Sequence, residues 1–259
     1  MRCKKFIENE EKEWEKNGHK NQDFLKIPQE ISKDYDLISI FAAEEFKAVF
    51  HAKKKSNHEE YMIKLIIIGK NLTNSDEENY VSFVEKIKKA CLMSHPNLIK
   101  CFAYFDFLKT SKMIGILMEL MKDSLENKIK KDITEKDVIQ YLFGICEGIR
   151  YLYEEQKMIH GELNPSNIFI KEMNVKMCAF EGFQKKNSLN KEYELKYIAP
   201  EHNKEIAEIS NKVDIWSLGI ITRELLSSFS KKNKNVSEKK TILEDSYCAT
   251  TWTELIEGN

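Results

Sequence analysis

From Tyr35 onward the apolar positions fall in short runs, Leu37 to Ile40, Phe46 to His51 and Tyr61 to Ile68, with a charged turn around Lys53 to His58 between the last two. Runs of this length, rich in β-branched and aromatic residues, predict a strand meander. Between Asp76 and Met93 the period changes. Tyr80, Phe83, Val84, Ile87, Ala90 and Cys91 recur at helical spacing, with Ser75 and Asp76 placed to cap the start. Further strands near Ile99 to Tyr104 and Met113 to Met118 complete a five-stranded lobe with one helix packed on it.

The chain then turns helical. Thr134 is placed as an N-cap ahead of Asp137, and Val138, Tyr141, Leu142, Ile145, Ile149 and Leu152 form one stripe of a long helix. A loop with Pro165 follows, then a hairpin pairing Ile168 to Ile170 with Val175 to Cys178. Val213 to Leu226 is apolar nearly all round, which predicts a helix at the centre of its lobe. Residues 1–32, rich in Glu, Lys and Asn, read as a solvated helix or frayed extension outside the core. Ser227 to Lys240 reads as a mobile polar loop, and no internal repeat is present.

Composition narrows the class of partner. With 42% hydrophobic and 32% charged residues and a net charge of −1, the chain reads as a soluble globular protein with no electrostatic reason to bind nucleic acid or an anionic membrane. The longest uncharged apolar run, Met113 to Met118, is far too short to span a bilayer, and no signal-peptide stretch follows Lys4 and Lys5. The six cysteines are scattered without a CxxC pair, so thiols buried in a reducing compartment are expected rather than disulfides or zinc. A cytoplasmic protein is the expectation.

A sheet lobe, a linker, a long helix and then His160-Gly161-Glu162-Leu163-Asn164-Pro165-Ser166-Asn167 together resemble a protein kinase. Lys64 lies fifteen residues after Val49, the interval between the valine ending the family's glycine loop and its phosphate-binding lysine. His95-Pro96-Asn97 resembles the turn after helix C, Met118-Glu119 the gatekeeper and hinge, and Ala199-Pro200-Glu201 the APE motif. Asp214-Ile215-Trp216-Ser217-Leu218-Gly219 resembles the helix F signature. Three of the four prolines, Pro96, Pro165 and Pro200, also fall on kinase proline positions. The resemblance covers roughly residues 35 to 226. It implies an α+β bilobal fold: a charged extension over 1–32, a five-stranded antiparallel N-lobe with helix C over 33–119, and a mainly helical C-lobe over 120–259, incomplete near helix G.

Phosphoryl transfer is mostly positioning and charge neutralisation, so each family role can be set against the residue present. Counting back from Val49 puts Ala42, Glu44 and Lys47 at the glycine positions, which removes the backbone cradle for phosphates. Lys64 is kept, as a ligand or as a plain strand lysine. Lys86 takes the place of the helix C glutamate, and its neighbour Glu85 is about 100° away around the helix. Glu162 replaces the catalytic aspartate as a degenerate base, its extra methylene displacing the carboxylate by about an ångström. Asn167 is retained as catalytic and metal residue.

Aligning the strand before the DFG position gives Ala179-Phe180-Glu181, so a methyl stands where the magnesium-binding aspartate belongs. Glu181 is the nearby carboxylate, a solvent-facing loop residue or a substitute metal ligand. The ATP site would comprise Val49, Lys64, Met62, Met118, Glu119 and Phe169, and Met62 and Phe169 replace smaller residues that sandwich the adenine, narrowing the slot. Architecture is better kept: His160, Phe180, Cys101 and Ala90 take the positions of the hydrophobic column, and Asp214 can anchor the catalytic loop. Ser188, Tyr193 and Tyr197 read as plain loop residues, because Gly161 replaces the arginine that would pair with a phosphate. Glu201 would lack its usual arginine.

These substitutions read as a pseudokinase that serves as scaffold or allosteric partner of other signalling proteins, with no cofactor expected. The alternative is a divergent, weakly active serine/threonine kinase using ATP and magnesium through Lys64, Glu162, Asn167 and Glu181.

Overall fold

The computed structural model describes residues 27–44, 47–67, 74–109, 113–131, 133–179, 195–200 and 210–232. Phe46, Phe180, Glu181, Ser188, Tyr193, Glu201, most of the 1–32 extension and the 233–240 part of the polar loop lie outside the described residues. The chain divides into two compact units, one running to Met93 and including Lys100–Leu120, the other holding Ser94–Ile99 and the residues from Met121.

The first unit is a five-stranded sheet with two helices. Strands β1 (Tyr35–Glu44), β2 (Lys47–Lys54), β3 (Glu60–Ile67), β4 (Cys101–Phe107) and β5 (Met113–Glu119) lie in the order β1-β2-β3-β5-β4, every pair antiparallel. Side chains alternate between the faces of a strand. Ala48, Phe50, Ala52, Ile63, Leu65 and Leu117 therefore gather on one face, where with Phe107 and Met113 they form a core. The other face carries Val49, Met62, Lys64, Ile116 and Met118, with Val49 opposite Lys64 and Met62 opposite Met118. Helix α2 (Asn74–Leu92) packs against β4 and buries Phe83, Val84, Ile87 and Ala90.

The end of the predicted extension belongs to this core. Helix α1 (Gln29–Asp34) buries Ile31 completely, and Tyr35 is buried beside it. Gly115 on β5 makes the room. A Cβ at that position would stand 3.3 Å from the Ile31 Cδ1 and 3.2 Å from the Leu65 Cδ2. The one apolar residue in Gln29–Asp34 was too little to register as a pattern, and packing decided its place.

The second unit begins with β6 (Asp123–Ser124) and α3 (Leu125–Ile129), whose first turn is capped by the Ser124 hydroxyl accepting from the Asn127 amide. Helix α4 (Glu135–Arg150) opens with the predicted cap, a reciprocal box in which Thr134 and Asp137 satisfy each other's backbone amides. A π turn, Tyr151–Glu155, ends it. Strands β7 (Ile168–Lys171) and β8 (Asn174–Met177) form the predicted hairpin and pair with β6 in the order β6-β7-β8. Gly144 and Gly148 let α4 approach closely: Cβ atoms there would stand 2.6 Å from the Val175 Cγ2 and 2.4 Å from the Met177 Cε. Asn97 fills the same space, its side-chain amide donating to the Val175 carbonyl and its own carbonyl accepting from the Met177 amide.

Helix α5 (Lys212–Lys232) buries Val213, Ile215, Leu218, Ile221 and Leu225 but leaves Trp216 exposed, so it is covered on one face and not all round as its apolar run predicts. It runs past the predicted end at Leu226, so the polar stretch from Ser227 is helical as far as Lys232. Ser230 back-bonds to the Leu226 carbonyl, and Ser228 donates to the Ile129 carbonyl of α3, which ties the polar segment to a neighbouring helix. Among the described residues no helix is long and apolar enough to cross a membrane.

Candidate active site

Val49, Met62, Lys64, Met118 and Glu119 belong to the first unit, and Glu162, Asn167, Phe169 and Ala179 to the second. On the sheet, the β2–β3 and β3–β5 registers bring Val49, Lys64, Met62 and Met118 onto one face as neighbours. Lys64 is 4% exposed, and Met62 and Met118 are buried. Glu119 closes β5, its amide donating to the Lys100 carbonyl at 2.9 Å and its carboxylate accepting from the Lys100 amide at 3.3 Å.

On α2, Glu85 is turned to solvent and pairs with Lys88 at 2.7 Å, while Lys86 is half-buried. The carboxylate that rotation of the helix would bring toward Lys64 is thus engaged one turn further along the same helix. Lys47, the third glycine position, is an ordinary strand residue opposite Ile66, and the backbone at Ala42 and Glu44 continues β1. A strand at these positions is the expected outcome of residues that carry a Cβ where the family carries glycine.

The catalytic-loop segment is held mainly by hydrogen bonds between side chains and backbone groups. Asp214, buried on the first turn of α5, accepts from the His160 amide at 2.9 Å and from the Gly161 amide at 2.8 Å. Gly161 has φ of +81°, a left-handed conformation that glycine adopts without strain. Its side-chain position faces open space, so backbone conformation, not crowding, favours glycine there. Asn164 caps the 3₁₀ turn Pro165–Asn167: its side-chain oxygen accepts from the Ser166 amide at 2.9 Å, the Asn167 amide at 3.2 Å and the Ser166 hydroxyl at 2.6 Å.

Asn167, itself buried, donates through its side-chain amide to the Glu162 carbonyl at 2.9 Å. That bond uses the nitrogen end of the amide and leaves the oxygen as the group suited to a cation. Glu162 is half-buried beside it. Phe169 lies on β7 between Ser124 of β6 and Lys176 of β8. Ala179 follows β8 and is 6% exposed, a buried methyl with no oxygen to offer a metal.

Residues 195–200 are fastened to α5 by contacts that sequence reasoning did not foresee. Tyr197 is 3% exposed. Its hydroxyl donates to the Glu224 carboxylate at 2.5 Å, and its carbonyl accepts from the Ser217 hydroxyl at 2.7 Å. Lys196 also pairs with Glu224, and the Trp216 indole donates to the Lys196 carbonyl at 3.1 Å. Tyr197 is therefore a packed anchor, which corrects its reading as a plain loop residue. Partners 20 and 27 residues apart leave no local signal. The Asn164 cap did have one: asparagine ahead of Pro-Ser is a common way to start a turn.

Comparison with known proteins agrees with the motif reading. The protein kinase domain family model matches residues 44–257. Myosin light chain kinase 2 of skeletal/cardiac muscle from Oryctolagus cuniculus is 29% identical over 196 residues, 71% of this chain and 30% of the relative. The serine/threonine-protein kinase polo of Drosophila melanogaster is 34% identical over 146 residues, 52% of this chain and 24% of the relative. The serine/threonine-protein kinase tousled-like 2 of Xenopus tropicalis is 25% identical over 260 residues, 89% of this chain and 36% of the relative. The chain thus spans between a quarter and about a third of the length of these relatives. The family model takes in the sheet from the end of β1, the catalytic-loop segment and the α5 anchor, and the chain belongs to the protein kinase domain family.

Proposed function

We propose that this chain is a pseudokinase, a protein-kinase domain that acts as scaffold or allosteric partner of another signalling protein in the cytoplasm and does not turn over ATP. The observation that carries the reading is the buried methyl of Ala179 at the position that alignment assigns to the metal-binding aspartate. Membership of the family implies ATP and magnesium for a member that transfers phosphate. The residues here do not fit that pair. A methyl supplies no ligand to a hard cation that demands oxygen donors. The helix C position holds a lysine, whose charge opposes rather than steadies that of Lys64. No step through the metal is therefore assigned to this chain, and on this reading the residues at the motif positions serve the fold.

A second reading, weak serine/threonine-type transfer with Glu162 as base and Lys64, Asn167 and Glu181 holding ATP and metal, draws support from the catalytic-loop segment. There the Asp214 anchor, the Asn164 cap and the Asn167 to Glu162 bond give an ordered loop. Thermal-shift titration with ATP, with and without magnesium or manganese, separates the two. The pseudokinase reading expects a single cooperative melt and no metal-dependent rise. A rise of several degrees that requires the metal, with phosphate incorporation abolished by Lys64→Ala, would establish the enzyme instead.

A further inference from the structure

The end of α2 and the start of β4 bring two reduced thiols together. The Cys91 Sγ lies 2.8 Å from the Cys101 Sγ. Cys101 is 0% exposed, whereas Cys91 is half-buried and reachable from solvent. The backbone near the pair is already held. The Met93 amide donates to the Lys89 and Ala90 carbonyls, and Lys100 reaches back to the Met93 carbonyl at 3.0 Å. The sulfurs need to approach by only roughly 0.8 Å to reach a bond length of about 2.05 Å, a distance that side-chain rotation can supply.

We propose that Cys91 and Cys101 form a reversible dithiol/disulfide pair, oxidised by peroxide, that staples the last turn of α2 to β4. The Cys91 thiolate attacks a peroxide oxygen and the O–O bond breaks, leaving a sulfenic acid on Cys91 and releasing water. The Cys101 sulfur then attacks the Cys91 sulfur. The S–S bond forms, the S–O bond breaks and a second water leaves, so the electron pair given up by the two thiols reduces one peroxide to water. Cys101 is suited to the resolving role because burial shelters it from the oxidant while contact lets it capture the sulfenic acid. A dithiol reductant reverses the bond by exchange. The inference holds whether or not the chain transfers phosphate. It adds a condition to the composition-based expectation of thiols: they are reduced at rest and linked under oxidation.

The test uses the full 259-residue chain under native conditions. It is treated with hydrogen peroxide, then unfolded and quenched with N-ethylmaleimide in denaturant, and analysed by intact mass and peptide mapping. Two fewer maleimide adducts than the untreated control, a crosslinked Cys91–Cys101 peptide and a melting temperature raised by roughly 5 °C, all reversed by dithiothreitol, are expected. Wild-type chain in which peroxide carries Cys91 to sulfinic acid while Cys101 remains alkylatable would overturn the proposal. So would a Cys91→Ser variant that still loses two adducts. The peptide map needs no variant, so a misfolded substitution does not remove the test.

Discussion

The His160–Asn167 segment and the sheet face around Lys64 both occupy kinase-motif positions, and they are maintained in opposite ways. In the loop, the backbone is held whatever residue has changed. Asp214 accepts two amides, Gly161 supplies the left-handed turn, and Asn164 caps the turn that carries Asn167. On the sheet face, Lys64 keeps its register opposite Val49, but Glu85 of α2 is paired with Lys88 at the surface. The contrast separates two kinds of constraint. A buried amide left without a partner costs free energy in every folded molecule, so the groups that satisfy it are needed for folding. A charge that only a nucleotide or metal requires is not held by that constraint, and the proposed reading of the buried Ala179 rests on this difference.

Removing the loop's anchor should have the largest effect. Asp214→Ala leaves the His160 and Gly161 amides without their carboxylate acceptor, and a loss of about 3 kcal/mol or more is expected in urea unfolding, hydrogen bonds to charged groups being worth roughly 1.5–3 kcal/mol each. A loss below about 1 kcal/mol would mean that water replaces the carboxylate and that the loop is not anchored from α5.

An intermediate effect is expected at the start of α4, the helix on which β8 packs. Thr134→Ala should cost about 1 kcal/mol near neutral pH, the usual worth of a cap. Burial pushes the Asp137 carboxyl up, but hydrogen bonds from the Thr134 amide and hydroxyl, with Lys128 and Lys136 nearby, outweigh it and hold the group below its ordinary value. A carboxyl depressed in the folded state contributes stability that is present above the unfolded pKa, about 3.9, and is lost as pH falls through the folded one. The difference between wild type and Thr134→Ala should therefore narrow in acid. Chemical denaturation at neutral pH and near pH 3 checks it, and a constant difference would assign the cap to the hydroxyl alone.

The smallest effect is the sharpest for the comparison. Glu85→Ala removes an exposed ion pair spaced three residues apart, and a change below about 0.5 kcal/mol is expected. A loss of about 2 kcal/mol or more would show that Glu85 neutralises a buried charge, and would return Lys64 to the arrangement of a working kinase.

The sheet, its helix, the hairpin and the capped helix were all readable from the chain, because each is written in a local period or a short-range cap such as Thr134 with Asp137. The residue types at Ala179, Lys86 and Glu162 are equally plain in the chain, since a functional group is a property of residue type, while the roles set against them come from the family resemblance. Three features were not. Ile31 is one apolar residue in a polar stretch, and its burial depends on the space left by Gly115 on a distant strand. Tyr197 is fixed by Glu224 and Ser217 across long sequence separations. Cys91 and Cys101 are ten residues apart, a spacing that carries no metal or redox motif, yet they touch.

The sequence by itself therefore determined the family, the order of elements and which chemical groups the chain carries. Only the tertiary structure decided which of those groups meet: that Glu85 faces Lys88, that Tyr197 is an anchor and that two thiols lie in contact. The physical reason is range. Propensity, periodicity and capping act over a few residues, whereas the partner of a side chain is chosen by packing between segments that the order along the chain leaves unrelated.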